Sequence, residues 1–242
     1  MARAAPPPLA VGIAGLGNIG TEVARWLAAS APRSLRLAAV AGRELALVAD
    51  RLSAMGIEAE ATRLDALAGR CDVVVDCLSP DAAGGLLETC IDGGGTIVEI
   101  NVGVLLLEPA WIERARRGGT RLLVPSGAVA GVDALRAAAM GRIDRVRIRS
   151  SKPPAGLDAS GAGGATRVFA GTAREAVAAW PRNMNISATL ALAGIGGDRT
   201  EVEIWSDPEL ERNVHEVEID SDSTRLRIRV ENRPSASNPR SS

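Results

Sequence analysis

The stretch from Leu9 to Ser30 limits the possible folds more than any other. A short apolar run, Leu9 to Ala14, ends in Gly15-Leu-Gly-Asn-Ile-Gly20, and a helical pattern with Val23, Trp26 and Leu27 on one face follows at once. Strand, glycine turn and helix in that order are the context in which G-x-G-x-x-G is informative. Gly15 permits the tight turn, Gly17 leaves a pyrophosphate room against the backbone, and Gly20 lets the helix sit close to the strand. Asn18 and Ile19 lie inside the turn, where free N–H groups and the positive end of the helix dipole favour phosphates. The motif thus predicts a dinucleotide site, against the plainer reading of a tight turn that binds nothing.

The rest of the first half repeats the strand–helix alternation. Leu35 to Ala41 reads as a strand and Glu44 to Met55 as a helix. Cys71 to Leu78 is a near-continuous apolar strand, as expected when both faces are covered. Ser79-Pro80 opens a turn, and Asp81 to Cys90 is helical. Thr96 to Ile100 is a strand, Pro109 to Arg117 a helix, Arg121 to Val124 a strand and Val132 to Met140 a helix. This alternation predicts a doubly wound parallel sheet.

The strand ends should face the cofactor, which makes Ser79 and Asn101 candidates. Asn101 either bonds near a nicotinamide or caps a turn. The tip of the second strand reads Ala41-Gly42-Arg43, with no carboxylate for ribose hydroxyls. Arg43 suits a 2′-phosphate, so NADP is expected alongside or instead of NAD, unless Arg43 is a plain surface charge.

From Arg145 the pattern changes to strict period two: Arg145 to Arg149, Thr200 to Trp205, Val214 to Asp220 and Thr224 to Val230. These predict a largely antiparallel sheet with one apolar face. Residues 150–166 are rich in small residues and read as a loop, Ala173 to Ala179 as a short helix, and Ile186 to Ala193 as an apolar helix. The expected domains are residues 1–140 for the dinucleotide, 141–231 for substrate and dimerisation, and a polar tail, 232–242, returning toward the first domain.

Composition removes several classes. The formal net charge is −1, which gives no electrostatic footprint for nucleic acid. No apolar run has the length of a membrane span, and the proline-rich start lacks the apolar core of a signal peptide. Cys71, Cys77 and Cys90 have no metal-ligand spacing and read as buried thiols in a reducing cytoplasm. No metal site is expected.

Of 28 basic residues only Lys152 is a lysine, and His215 is the only histidine. A dinucleotide site beside a second domain implies hydride transfer in the cleft between them, which needs an acid or base working near neutral pH, and His215 is the candidate. Pro153 holds Lys152 extended on what reads as a rigid loop, where its ammonium either binds a substrate carboxylate or is simply solvated. Asn183 and Asn185 stand just before a helix, as caps, as holders of a nicotinamide carboxamide, or as both.

Read together, Gly15 to Gly20, Glu99-Ile-Asn-Val-Gly103, Pro125 to Gly131, Ser151-Lys-Pro-Pro154, Phe169 to Glu175, Asn183-Met-Asn185 with Ala188 to Ala193, Asp207-Pro208, Asn213-Val-His215, and Glu231-Asn-Arg-Pro234 with Asn238-Pro239 resemble the L-aspartate dehydrogenase family. The resemblance runs in order over almost the whole chain. It implies NAD(P)-dependent oxidation of L-aspartate to iminoaspartate, which feeds NAD biosynthesis or hydrolyses to oxaloacetate and ammonia. It places the catalytic histidine on His215 and the nicotinamide-site residues on Ala128 and Asn185, and it implies a homodimer in which the C-terminal sheet contributes to assembly. Lys152, with Ser126 and Thr189, is the expected carboxylate binder. Three features depart from the family. Its usual closing helix beyond the Asn-Pro motif has no counterpart before Ser242, Ser221 to Thr224 replaces a glycine-rich turn, and Arg43 replaces an acidic residue. The rival readings are a related oxidoreductase of the homoserine dehydrogenase or dihydrodipicolinate reductase type, and a non-catalytic NAD(P)-binding sensor.

Overall fold

The computed structural model describes residues 6–154 and 164–233. The chain divides into two compact units, one of residues 1–101 and 108–125, the other of residues 102–107 and 126–242. The second unit therefore begins about fifteen residues before the expected boundary at 140, and it takes in a short segment ahead of that. The cause is packing. The helix Val132–Ala138 (α7) lies against the helix Asn185–Ala193 (α9), which also packs on Val102–Leu107 (α5). Of the tail expected at residues 232–242, Asn232 is the last residue of a strand, and residues 234–242 lie outside the described residues.

The first unit is a six-stranded parallel sheet. Its strands are β1 (Leu9–Ala14), β2 (Leu35–Ala41), β3 (Glu60–Thr62), β4 (Val73–Asp76), β5 (Thr96–Glu99) and β6 (Arg121–Leu123), in the spatial order β3-β2-β1-β4-β5-β6. The order reverses between β1 and β4, and ligands of such sheets bind outside the strand ends at that switch. β1 is buried from Ala10 onward and continues through the glycine turn into α1 (Asn18–Ala29). Val11, Ile13 and Val40 form the core with Ala24 and Leu27 of α1 and with Val48 and Leu52 of α2 (Leu45–Ala54). The Asp72 carboxylate accepts a hydrogen bond from the Ala10 N–H at 2.7 Å, which closes off the start of β1. Strand β3 and the short helix α3 (Leu64–Leu67) were not legible in the sequence, being three and four residues long. Helices α4 (Pro80–Gly93) and α6 (Ala110–Gly118) complete this unit.

The second unit holds a five-stranded sheet of β7 (Ile143–Lys152), β8 (Thr166–Thr172), β9 (Glu201–Ser206), β10 (Asn213–Ser221) and β11 (Arg225–Asn232), ordered β11-β10-β7-β9-β8. The pairs β10–β11, β10–β7 and β8–β9 are antiparallel and β7–β9 is parallel, so the sheet is largely antiparallel, as expected. One face is buried and the other carries Arg–Glu pairs such as Arg145–Glu201 and Arg147–Glu203. Helix α8 (Ala173–Ala179) starts at a capping box, in which Thr172 accepts from the Glu175 N–H and Glu175 accepts from the Thr172 N–H. Part of the expected loop at 150–166 proves to be strand. β7 runs on to Lys152 because pairing with β9 continues to Ser206, and it stops where Pro153 has no N–H to donate.

Candidate active site

In the first unit the glycine turn has the form a phosphate cradle needs. Gly15 has a φ of +93°, which L side chains rarely adopt, and a Cβ there would meet the Cys77 carbonyl at 2.7 Å. A Cβ on Gly20 would collide with the Gly15 carbonyl, so strand and helix touch at this point. Gly17 is different: a Cβ there would meet nothing within 4 Å. Its φ of −77° is ordinary, and it caps α1 without a side-chain bond. The first intrahelical bond runs from the Thr21 N–H to the Gly17 carbonyl, so the N–H groups before Thr21 have no intrahelical acceptor. Asn18 and Ile19 are exposed beside them, and Arg51 donates to the Leu16 carbonyl at 2.8 Å, pinning the turn. Open space at Gly17 together with these free donors fits a dinucleotide pyrophosphate.

Around this cradle, Arg43 is exposed at the tip of β2, and Ser79 caps α4 without a side-chain bond. Asn101 is buried and works inward. Its Nδ2 donates to Asp76 Oδ2 at 2.8 Å and to the Leu78 carbonyl at 3.2 Å. Of the two roles expected for it, the structure displays the turn clasp.

Behind Asn101 lies a carboxyl pair that the sequence reading missed. Asp76 and Glu99 are adjacent in the β4–β5 register, and neither has any exposed surface. Asp76 Oδ1 accepts from the Leu78 N–H, and Glu99 Oε1 accepts from the Asn101 N–H. Burial and the neighbouring Asp76 charge push the Glu99 carboxyl up to about 9. Its Oε2 has no partner among the described residues and is the natural place for a proton. The pair thus fixes the turns that follow β4 and β5. The thiols are inert by the same logic, since burial pushes Cys77 and Cys90 up to about 12.

In the second unit Lys152 and His215 come together on the buried face of the sheet. Lys152 is not on a projecting loop as expected. It is the last residue of β7 and only 4% exposed, because strand pairing carries it under the covering helices. His215 is 3% exposed and stands opposite Ser150, whose Oγ lies 2.9 Å from its Nδ1. Burial and the Lys152 charge lower the His215 imidazole to about 4, so it is neutral across the physiological range. Burial likewise lowers the Lys152 ammonium below its ordinary value. Among the described residues no carboxylate pairs with it.

The other expected residues of this unit are placed as follows. Thr189 is buried in α9, which packs on β7. Ser126 and Ala128 are exposed in the segment before α7, where Asn232 Nδ2 donates to the Ala128 carbonyl at 3.3 Å. Asn185 opens α9 and its Oδ1 accepts from the Gly103 N–H at 3.5 Å. Neither Asn183 nor Asn185 caps this helix, since the cap position is Met184. Ser150, Ser206 and Asn213, which share the buried face with His215, were not singled out from the sequence. Their signal was available in the alternation, because each stands two residues from a buried residue of the same face.

Comparison with known proteins matches residues 133–242 to the family described as aspartate dehydrogenase, C-terminal. Residues 15–125 match the family described as homoserine dehydrogenase, NAD binding domain. The chain is 37% identical over 238 residues to L-aspartate dehydrogenase 3 of Bordetella bronchiseptica, covering 94% of this chain and 88% of that protein. It is 37% identical over 244 residues to the L-aspartate dehydrogenase of Bradyrhizobium diazoefficiens, covering 96% and 86%. The crystal structure of aspartate dehydrogenase from Thermotoga maritima superposes with a TM-score of 0.72 at 25% identity, covering 92% of this chain and 88% of that one.

Proposed function

Because the chain belongs to the L-aspartate dehydrogenase family, we propose that it oxidises L-aspartate with NAD or NADP to iminoaspartate, which water converts to oxaloacetate and ammonia. The observation that carries this reading is the buried His215, held by Ser150 on the same sheet face as the buried Lys152, which has no carboxylate partner among the described residues. Such a pair suits a substrate that brings its own negative charge and must give up a proton from nitrogen. The glycine cradle and its open Gly17 suit the dinucleotide, which when bound accepts the hydride from the substrate Cα.

In this reading His215 Nε2 takes the proton from the substrate amine as the Cα–H bond breaks and the C=N bond forms. That requires the tautomer with hydrogen on Nδ1, donated to Ser150 Oγ. Lys152, with Ser126 and Thr189, holds the carboxylates. Fixing both ends of a small dicarboxylate orients the Cα–H bond, and orientation of this kind is worth several kcal/mol of barrier. Ala128 and Asn185 serve the nicotinamide end, Asn101 supports it by clasping the turn after β4, and Ser79 and Arg43 serve the remainder of the cofactor. Arg43 stands where no carboxylate bars a 2′-phosphate, which supports use of NADP. We also place the product in NAD biosynthesis in the cytoplasm, and assembly as a homodimer through the second sheet.

The test is oxidation of L-aspartate with each cofactor, and amination of oxaloacetate in reverse. The His215→Ala protein should bind cofactor normally and lose turnover by roughly 10²-fold or more. Activity on homoserine or a cyclic imine instead of L-aspartate would assign a different oxidoreductase. Cofactor binding without any turnover would assign a sensor.

A further inference from the structure

Asp76 and Glu99 end two neighbouring strands, β4 and β5, and are partners in their register. Both are fully buried. Three of their four oxygens accept hydrogen bonds, all from the turns that follow the strands. Asp76 Oδ1 accepts from the Leu78 N–H, Asp76 Oδ2 from Asn101 Nδ2, and Glu99 Oε1 from the Asn101 N–H. The fourth oxygen, Glu99 Oε2, has no partner among the described residues. No cation among them pairs with either acid. Two carboxylates side by side away from water do not both stay ionised, so the pair holds one proton. The other titratable groups facing it are the thiols of Cys77 and Cys90, which burial pushes up to about 12 and so keeps silent near neutrality.

The pair reaches the nucleotide cradle through one residue. Cys77 follows Asp76. Its N–H donates to the Ala14 carbonyl at 2.8 Å, and its own carbonyl is what a Cβ on Gly15 would strike. Ala14 and Asp76 are themselves partners in the β1–β4 register. With the pyrophosphate at Gly17 and the adenosine ribose at the end of β2, the other half of a dinucleotide belongs on the β4 and β5 side of the switch. The turns on that side are the ones the two acids hold.

We propose that the Asp76–Glu99 pair makes this site distinguish the two redox states of the cofactor, releasing its proton when the oxidised dinucleotide binds and keeping it when the reduced one does. This rests on the dehydrogenase reading above only in taking a nicotinamide dinucleotide as the ligand. The oxidised ring is a cation and the reduced ring is neutral. A second negative charge on the pair attracts the cation and does little for the neutral ring. Linkage is reciprocal, so a ring that binds better to the ionised pair also makes the pair easier to ionise. Arg43 and any 2′-phosphate are common to both forms and cancel from the comparison. Asp76 and Glu99 thereby set specificity for redox state, acting through charge and through the turns they fix.

The test measures dissociation constants of NADP+ and NADPH across pH on the full chain, with NAD+ and NADH in parallel. Calorimetry in two buffers of different ionisation enthalpy counts the protons exchanged. The preference for the oxidised form should rise roughly five- to tenfold between pH 7 and 9.5, with about half a proton released by NADP+ at pH 8.5 and almost none by NADPH. Glu99→Gln fixes the pair in its protonated form, and both effects should vanish. Asp76→Asn takes the neighbouring charge from Glu99 and should move the proton release to lower pH. A pair that only braces the turns gives no proton release and the same pH dependence for both forms. A native preference independent of pH, one that persists in Glu99→Gln, or a release unmoved by Asp76→Asn overturns the proposal. Proton release that Glu99→Gln abolishes, in a chain that does not oxidise L-aspartate, overturns the substrate reading alone. Oxidation of L-aspartate with a pH-independent cofactor preference overturns the redox discrimination alone.

Discussion

His215 shows how much a single environment alters a side chain. Its imidazole titrates near 4 instead of 6.5, first because burial disfavours the cation and then because Lys152 adds repulsion. As the only histidine in the chain, its ring C–H resonance reports this titration without assignment ambiguity. The NMR midpoint should lie near 4 and should move up in Lys152→Met, which keeps the bulk and removes the charge. A midpoint near 6.5 in the native protein would mean that the ring is solvated. Ser150 belongs to the same scale, because its Oγ holds the ring at Nδ1, 2.9 Å away.

At the scale of elements, the β1–turn–α1 unit separates the demands of folding from those of binding. Gly20 is needed for packing, because a Cβ there collides with the Gly15 carbonyl. Gly17 has open space and an unstrained backbone, so only a ligand would notice a methyl group there. Gly17→Ala should melt within a degree or two of the native protein and lose at least about tenfold in NADP(H) affinity, measured by fluorescence titration. Gly20→Ala should instead lose stability, by roughly 1–3 kcal/mol, in denaturant unfolding. Equal effects of the two substitutions on stability would contradict this division. The sequence made this unit legible because all of its parts lie within about twenty residues. The short β3 and α3 carried too few residues for any periodicity, and β8, Thr166–Thr172, lacks the apolar–polar alternation of the other strands of its sheet.

For the molecule as a whole, two buried groups give stability a pH dependence of opposite sign. His215 folds with a depressed value, so its contribution is complete above 6.5 and is lost as pH falls from 6.5 toward 4. Glu99 folds with a raised value, so its contribution is complete below about 4.5 and is lost as pH rises toward 9. Between 4.5 and 6.5 the two slopes oppose each other. Above that range only the Glu99 loss remains, reinforced by Asp76 beside it. Glu99→Gln imitates the protonated acid, donating to Asp76 and accepting from Asn101. It should raise stability at pH 8 by roughly 1–3 kcal/mol and flatten the alkaline side of the profile, measured by urea unfolding across pH. A variant with the native slope would place the titrating group elsewhere.

Local pattern determined the parallel sheet, the glycine cradle and the alternating strands of the second half, because each is written in residues that are neighbours in the chain. The choice of His215 and Lys152 followed from their rarity in this sequence. Only the tertiary structure decided that Lys152 is buried and that Asp76 and Glu99 share a site. Those facts depend on strand register between distant segments. Ser150 and His215 are 65 positions apart, and a one-residue shift of β10 against β7 would turn His215 to the other face.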